Sequence, residues 1–269
     1  MSISFLKGVL PKAIMVLGLC AATLNVYADA LEDIIKRGEV RIGVSSFEPW
    51  TMKAKDGSLM GFEVEVGKQL AQDMGVKPKF VSYEWDELMP AVEKGEIDVI
   101  AAGLAVTPQR ALRVNFSVPY MDYGVTLATH TRSTKKIRGV EELNNKNIKI
   151  VAVSDSIGAE VANAIFPKAT KVIVKTSEEA EAKVAAGEVH AMISSSPVAR
   201  FAMLRHPEVL DMPLQNPLIG TRAAFGIKKG EEDWARFLDA WVVSRTADGW
   251  LKRAERFWFY SLDWQAEQK

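Results

Sequence analysis

The sequence predicts an α/β protein of two lobes, each with a mostly parallel sheet, joined by two hinge strands. Three observations predict it. Strand-like and helix-like segments alternate from residue 40 onward, the alternation starts again near Ile148, and the chain ends in helices with no strands of their own to cover.

In order, Val40 to Ser45 is apolar and β-branched and reads as a buried strand. Phe62 to Met74 carries apolar residues at 62, 66, 70 and 74, one face of a helix, and Gly75 ends it. Lys79 to Tyr83 is the next strand. Glu87 to Lys94 is a short helix closed by Gly95, and Ile97 to Ala102 is a buried strand. Thr107-Pro108 supplies a capping hydroxyl followed by proline at the first helical position, which starts a helix.

The second unit repeats this order. Strand 148–153 precedes a helix near 159–166, strand 171–175 precedes helix 177–186 closed by Gly187, and strand 189–193 leads to Ser196-Pro197 and another helix. The run from Ala91 to Ile100 aligns without a gap on the run from Lys183 to Met192, sharing Val92 with Val184 and Gly95-Glu96 with Gly187-Glu188. Helix, Gly-Glu, buried strand and Ser/Thr-Pro recur in both, so the lobes are expected to be alike.

Thr221 to Lys228 reads as a strand and Glu231 to Phe259 as Trp-rich helices. With no strands left for a third unit, this tail is expected to return to the first lobe. Two crossings follow, near 124–131 and 219–224, and two crossover strands make a hinge over a cleft. The division expected is 1–28 signal peptide, 29–125 with 222–269 as lobe 1, and 126–221 as lobe 2.

The signal peptide rests on Lys7 and Lys12, an apolar run from Ala13 to Leu24 too short to span a bilayer, and Val26-Tyr27-Ala28 before the cleavage point. Cys20 is the only cysteine and leaves with that segment, which excludes a disulfide scaffold and cysteine catalysis in the exported chain. Without those two lysines, 32 basic residues face 34 acidic ones. No basic surplus points to nucleic acid or anionic lipid.

In open parallel sheets ligands bind beyond the carboxyl ends of strands, beside helix N-termini. Gly103 to Arg110, Ser154 to Glu160 and Ser194 to Val198 are such places. Arg110 lies in the first turn of its helix, where the macrodipole disfavours a cation. It is either a guanidinium fork aimed at a carboxylate in the cleft, or a solvated or internally paired arginine. Phe47 and Trp85 follow the first two strands and are candidates to wall a pocket. Trp50, after Pro49, suits either a pocket or the core. Glu160 is a candidate general acid, or simply an acid placed where the dipole favours one. His130, His190 and His206 lack metal-ligand spacing, and no phosphate loop or nucleophile elbow appears, so neither metal nor cofactor is expected.

Several runs together resemble the family 3 extracellular solute-binding proteins, the polar amino-acid receptors of ABC importers. They are Gly61-Phe62-Glu63-Val64-Glu65, Gly95-Glu96-Ile97-Asp98-Val99-Ile100, Gly103-Leu104-Ala105-Val106-Thr107-Pro108-Gln109-Arg110 and Phe116-Ser117-Val118-Pro119-Tyr120. The resemblance covers essentially all of the chain from residue 29. It implies a periplasmic-binding-protein-like fold and a periplasmic, monomeric receptor partnered by an inner-membrane ABC permease. It also implies that Arg110 clamps a ligand carboxylate, that Phe47 and Trp85 touch the ligand's body, and that the loop 154–159 closes from the other lobe.

The chain departs from the family at three places. Ala105 puts a methyl where the family's Gly-x-Thr-Ile-Thr run carries a hydroxyl. Ser195 stands where an Asp pairs with the ligand's ammonium, and Ser156-Ile157-Gly158 stands for Gly-Thr-Thr or Gly-Thr-Ser. The clamp survives while most of the ammonium site is gone. The tail and Arg205-His206-Pro207-Glu208 are also similar to cyclohexadienyl dehydratase, an enzyme within the same family whose catalytic glutamate aligns with Glu160. The expected function is capture of a small carboxylate, an amino acid or similar molecule, by Phe47, Trp85, Gly103, Leu104, Ala105, Arg110, Ser156, Ile157, Gly158 and Ser195. The alternative is a dehydratase-like periplasmic lyase using Glu160.

Overall fold

Each lobe is built on three parallel strands in the same spatial order. In lobe 1, Glu39–Val44 lies between Lys77–Ser82 and Val99–Ile100, parallel to both. In lobe 2, Lys149–Val153 lies between Thr170–Val174 and Ala191–Ser195, again parallel to both. Antiparallel strands extend each core: Gly226–Ile227 and Asn115–Phe116 in lobe 1, Met121–His130, Leu210–Asp211 and Ile219–Ala223 in lobe 2. The computed structural model describes residues 30–268, so the expected signal peptide, Cys20 included, lies outside the described residues.

The helices form where the periodicity places them. Phe62–Met74 buries Phe62, Val66 and Leu70 completely. Gly75 closes it at φ 69°, with the Val76 and Gly75 amides donating to the carbonyls of Ala71 and Gln72. The aligned repeat has one geometry in both lobes. Gly95 and Gly187 take φ 73° and 72°, and each following glutamate's amide donates back into its helix, Glu96 to Ala91 at 3.0 Å and Glu188 to Lys183 at 3.1 Å. Only a residue free to enter the left-handed region closes a helix this way without strain.

Two expected strands differ. Ile97–Ala102 is a strand only at Val99–Ile100: Asp98 is held below it by Arg37 and Arg41, and the chain then turns out towards Gly103. Thr221–Lys228 is two strands, Ile219–Ala223 in the lobe 2 sheet and Gly226–Ile227 in the lobe 1 sheet. Between them Ala224 donates to the Leu104 carbonyl and Phe225 to Ser117 Oγ, both at 3.1 Å, which carries the chain from one sheet to the other.

The crossover is a paired ribbon. Met121 to Val125 runs antiparallel to Ile219–Ala223, and the Tyr120 amide donates to the Ala223 carbonyl at 2.9 Å. Pairing therefore begins ahead of the expected 124–131 segment. The helices Glu232–Ala247 and Trp250–Tyr260 pack on lobe 1. Trp234 is fully buried, Trp241 Nε1 donates to Asp73, Trp258 Nε1 donates to Glu65, and the Phe259 ring lies tilted against Phe62, centroids 5.2 Å apart. Trp264 then reaches lobe 2, with its ring 5.3 Å from Phe201. Among the described residues no helix is long and apolar enough to cross a membrane.

Candidate functional site

The carboxyl ends of all six parallel strands face one another across the cleft. From lobe 1 they contribute Ser45, Ser46 and Phe47, then Tyr83, Glu84 and Trp85, then Gly103. From lobe 2 they contribute Val153 with Ser156, Ile157 and Gly158, then Lys175, Thr176 and Ser177, then Ile193, Ser194 and Ser195. With Tyr123 of the crossover ribbon they line one cavity between the lobes. Its wall sets aromatic rings opposite a few hydroxyls, a lining that suits a small organic solute.

Gly103 is fixed on three sides. Its φ is 62°, and a Cβ there would meet the Trp50 ring at 3.0 Å. Its amide donates to Glu63 Oε1 at 2.6 Å, and its carbonyl accepts from the Tyr123 hydroxyl at 3.0 Å. Trp50 is thus a core residue under the site, edge-on to Tyr123. Glu63 is buried and also accepts from the Tyr120 hydroxyl at 2.8 Å. Burial pushes its carboxyl up to about 7, against the opposing pull of the bonds from Tyr120 and Gly103. Burial likewise raises the Tyr123 phenol.

Phe47 and Trp85 stand together in the wall, ring centroids 6.0 Å apart. Leu104 and Ala105 lie outside the lining. Leu104 packs into the lobe 1 core and Ala105 is fully buried opposite Ala223, because strand-like backbone there turns their side chains inward.

Arg110 is 5 % exposed and sits behind the Trp85 ring, its guanidinium carbon 5.9 Å from the ring centroid. Thr107 caps its helix, as the sequence predicts. Arg110 Nη1 donates to the Ala105 carbonyl at 3.1 Å, and Nη2 crosses the cleft to the Asp155 carbonyl at 2.7 Å. Burial lowers its pKa, with Glu160 acting in the opposite direction. Trp85 Nε1 donates to the same Asp155 carbonyl at 3.1 Å. Asp155 takes φ 53°, an uncommon conformation for a residue with a side chain and one that aims its carbonyl at both donors.

Glu160 lies in an adjoining cleft with Arg110, Asp86, Gln109 and Asn163, 3.4 Å from Arg110 Nη2 and with 43 % of its side chain exposed. Arg110 and Glu160 are therefore separated from the main cavity by the Trp85–Asp155 contact. A second interlobe contact closes another side: Arg205 Nη1 meets Glu48 Oε1 at 2.7 Å while Arg205 Nε holds Glu181 at 2.7 Å.

Sequence reasoning missed several lining residues, Tyr83, Glu84, Tyr123, Ile193 and the Lys175-Thr176-Ser177 segment among them. The strand-end rule, applied to the strand at 171–175 as it was to its neighbours, finds the last of these. Nothing local marks Tyr123, which enters through the ribbon register.

The family model for bacterial extracellular solute-binding proteins, family 3, matches residues 40–261. The chain is 22% identical over 241 residues to cyclohexadienyl dehydratase of Pseudomonas aeruginosa, covering 89% of this chain and 90% of that one. It resembles the structure of an ancestral amino acid-binding protein, a precursor of cyclohexadienyl dehydratase, at 30% identity and TM-score 0.78, over 86% of this chain and 100% of that one. It also resembles a putative ABC-transporter binding component from Wolinella succinogenes complexed with lysine, at 28% identity and TM-score 0.80, over 86% of this chain and 99% of that one.

Proposed function

We propose, from the premise that this chain belongs to the family 3 bacterial extracellular solute-binding proteins, that it captures a small carboxylate-bearing solute between its lobes. The solute is an amino acid or amino-acid-like molecule, the compartment is the periplasm, and the complex is presented to an inner-membrane ABC permease. The observation that carries this reading is the single cavity walled by six strand ends, three from each lobe.

A ligand there touches both lobes only when they are together, so binding draws the population towards the shut form. The bonds from Arg110 and Trp85 to the Asp155 carbonyl, and from Arg205 to Glu48, are available only in that form. Arg110 is the residue assigned to the ligand carboxylate: it is buried, cationic and lies against the Trp85 ring that walls the cavity.

The supporting experiment is a thermal-shift screen of the chain from residue 29 against carboxylates with and without α-amino groups. A ligand raises the melting temperature with the logarithm of its concentration over Kd once that ratio is well above one. A screen in which no carboxylate does so counts against capture.

A dehydratase-like lyase is the second reading, favoured by the placement of Glu160 against Arg110 at the cleft. Glu160 and Arg110 share the adjoining cleft, both outside the main cavity lining. In a lyase, Glu160→Gln would remove conversion of prephenate or arogenate by roughly two to four powers of ten. In a receptor no conversion occurs, and the same change costs only about 0.3–1 kcal/mol.

A further inference from the structure

Three helices of lobe 2 begin at the cavity. Ile157–Ile165 starts after Ser156, Ser177–Ala185 after Thr176, and Ser196–Arg205 after Ser195, and all three cap residues line the wall. Their N-terminal dipole ends put positive potential into the space between them.

Two of the caps are spent on their own helices. Ser156 Oγ accepts from the Ala159 amide at 3.2 Å and Thr176 Oγ1 from the Glu179 amide at 3.1 Å. Ser195 makes no such bond. Ser195 is 3 % exposed and Ser177 8 %, both line the cavity, and neither hydroxyl has a hydrogen-bond partner. A buried hydroxyl without a partner carries a desolvation cost that a ligand atom can relieve.

The lining includes two charged side chains, Glu84 and Lys175, both exposed. Glu84 stands on the lobe 1 side of the lining, where its amide donates to Glu87 Oε2 at 3.2 Å. No buried carboxylate therefore faces the wall of serines. An ammonium group there would meet helix dipoles of the wrong sign and no buried counter-charge, which is costly in an enclosed site.

We propose that the cavity selects carboxylates bearing a keto or hydroxyl oxygen, rather than an ammonium, on the carbon next to the carboxylate. These are 2-oxo and 2-hydroxy acids. The hydroxyls of Ser195 and Ser177 bond that oxygen, and Phe47, Trp85 and Ile193 enclose the apolar remainder. The inference rests on the capture reading above and names its ligand class.

The test is titration calorimetry on matched pairs: pyruvate with alanine, 4-methyl-2-oxopentanoate with leucine, phenylpyruvate with phenylalanine, and 2-oxoglutarate with glutamate. The oxo acid of the best-fitting pair binds roughly tenfold or more tighter than its amino acid, whose ammonium is left without a buried counter-charge. Ser195→Asp, a residue type well tolerated at a helix start, moves the preference towards the amino acid. Ser177→Ala weakens the oxo acid several-fold, and it decides the matter should the Asp variant not fold. An amino acid that matches or beats its oxo acid overturns the inference and leaves capture standing. An unchanged oxo-acid affinity in Ser177→Ala also overturns it. No binding by any of the eight overturns both.

Discussion

Arg110 reaches across the cleft to Asp155: its Nη2 donates to the Asp155 main-chain carbonyl at 2.7 Å. One lobe supplies a buried cation, and the other a carbonyl held towards it by a left-handed backbone turn. Trp85 Nε1 shares the same acceptor. The side chain assigned to the ligand is thus also part of the contact that shuts the lobes, which couples binding to closure.

Arg110→Ala removes both roles. Carboxylate affinity falls by on the order of 2–5 kcal/mol, the cost of truncating a desolvated charge contact. Calorimetry on the best carboxylate reads this directly, and a variant within twofold of the wild type would show that Arg110 is not the clamp.

Gly103→Ala is expected to destabilise the protein. The position has φ 62°, and the added Cβ meets the Trp50 ring at 3.0 Å. Strain of about 1–3 kcal/mol follows, measured as a lower urea midpoint with an unchanged slope. An unmoved midpoint would mean that the loop relaxes freely.

Glu63 makes stability depend on pH. Its carboxyl is raised to about 7 in the folded state by burial, above the ordinary 4.5. Between these values the folded chain binds the proton and the unfolded chain does not, so stability is fully present below the unfolded value and is lost as pH rises through the folded one. The difference is on the order of 3 kcal/mol. Urea denaturation at about pH 5 and about pH 8 should show this loss in the wild type and a smaller one in Glu63→Gln. Equal losses in the two would remove Glu63 from the account.

Much of this is legible in the sequence. The period of Phe62–Met74 and its closing Gly75 fix one helix to the residue, and the Gly-Glu repeat marks the same turn in both lobes. The capping hydroxyl of Thr107 likewise places Arg110 in a first turn. What sequence could not give depends on register and side-chain direction. Tyr123 faces the cavity because Met121 pairs with Ala223 in the ribbon, a long-range alignment with no local signal. Leu104 and Ala105 turn inward by the same kind of tertiary constraint. The strand expected over Thr221 to Lys228 hides its break, since apolar character is continuous through Ala223, Ala224 and Phe225 while the hydrogen bonds change sheets.

The Arg205–Glu48 pair is a closure contact at the rim, with 36 % and 18 % of the side chains exposed. Glu48→Gln weakens closure by about 0.2–1 kcal/mol. Small-angle scattering at low ionic strength should show a larger radius of gyration than the wild type, with the difference fading in about 1 M salt. Identical profiles at low salt would leave the pair without influence on closure.

On the capture reading, the cavity holds a carboxylate and releases it unaltered. Saturating the protein with the tightest-binding carboxylate, removing the excess, denaturing the complex and identifying the freed solute by mass spectrometry tests this. One intact molecule per chain is expected from the wild type and almost none from Arg110→Ala. A chemically altered solute, or an equal yield from the variant, would contradict that reading.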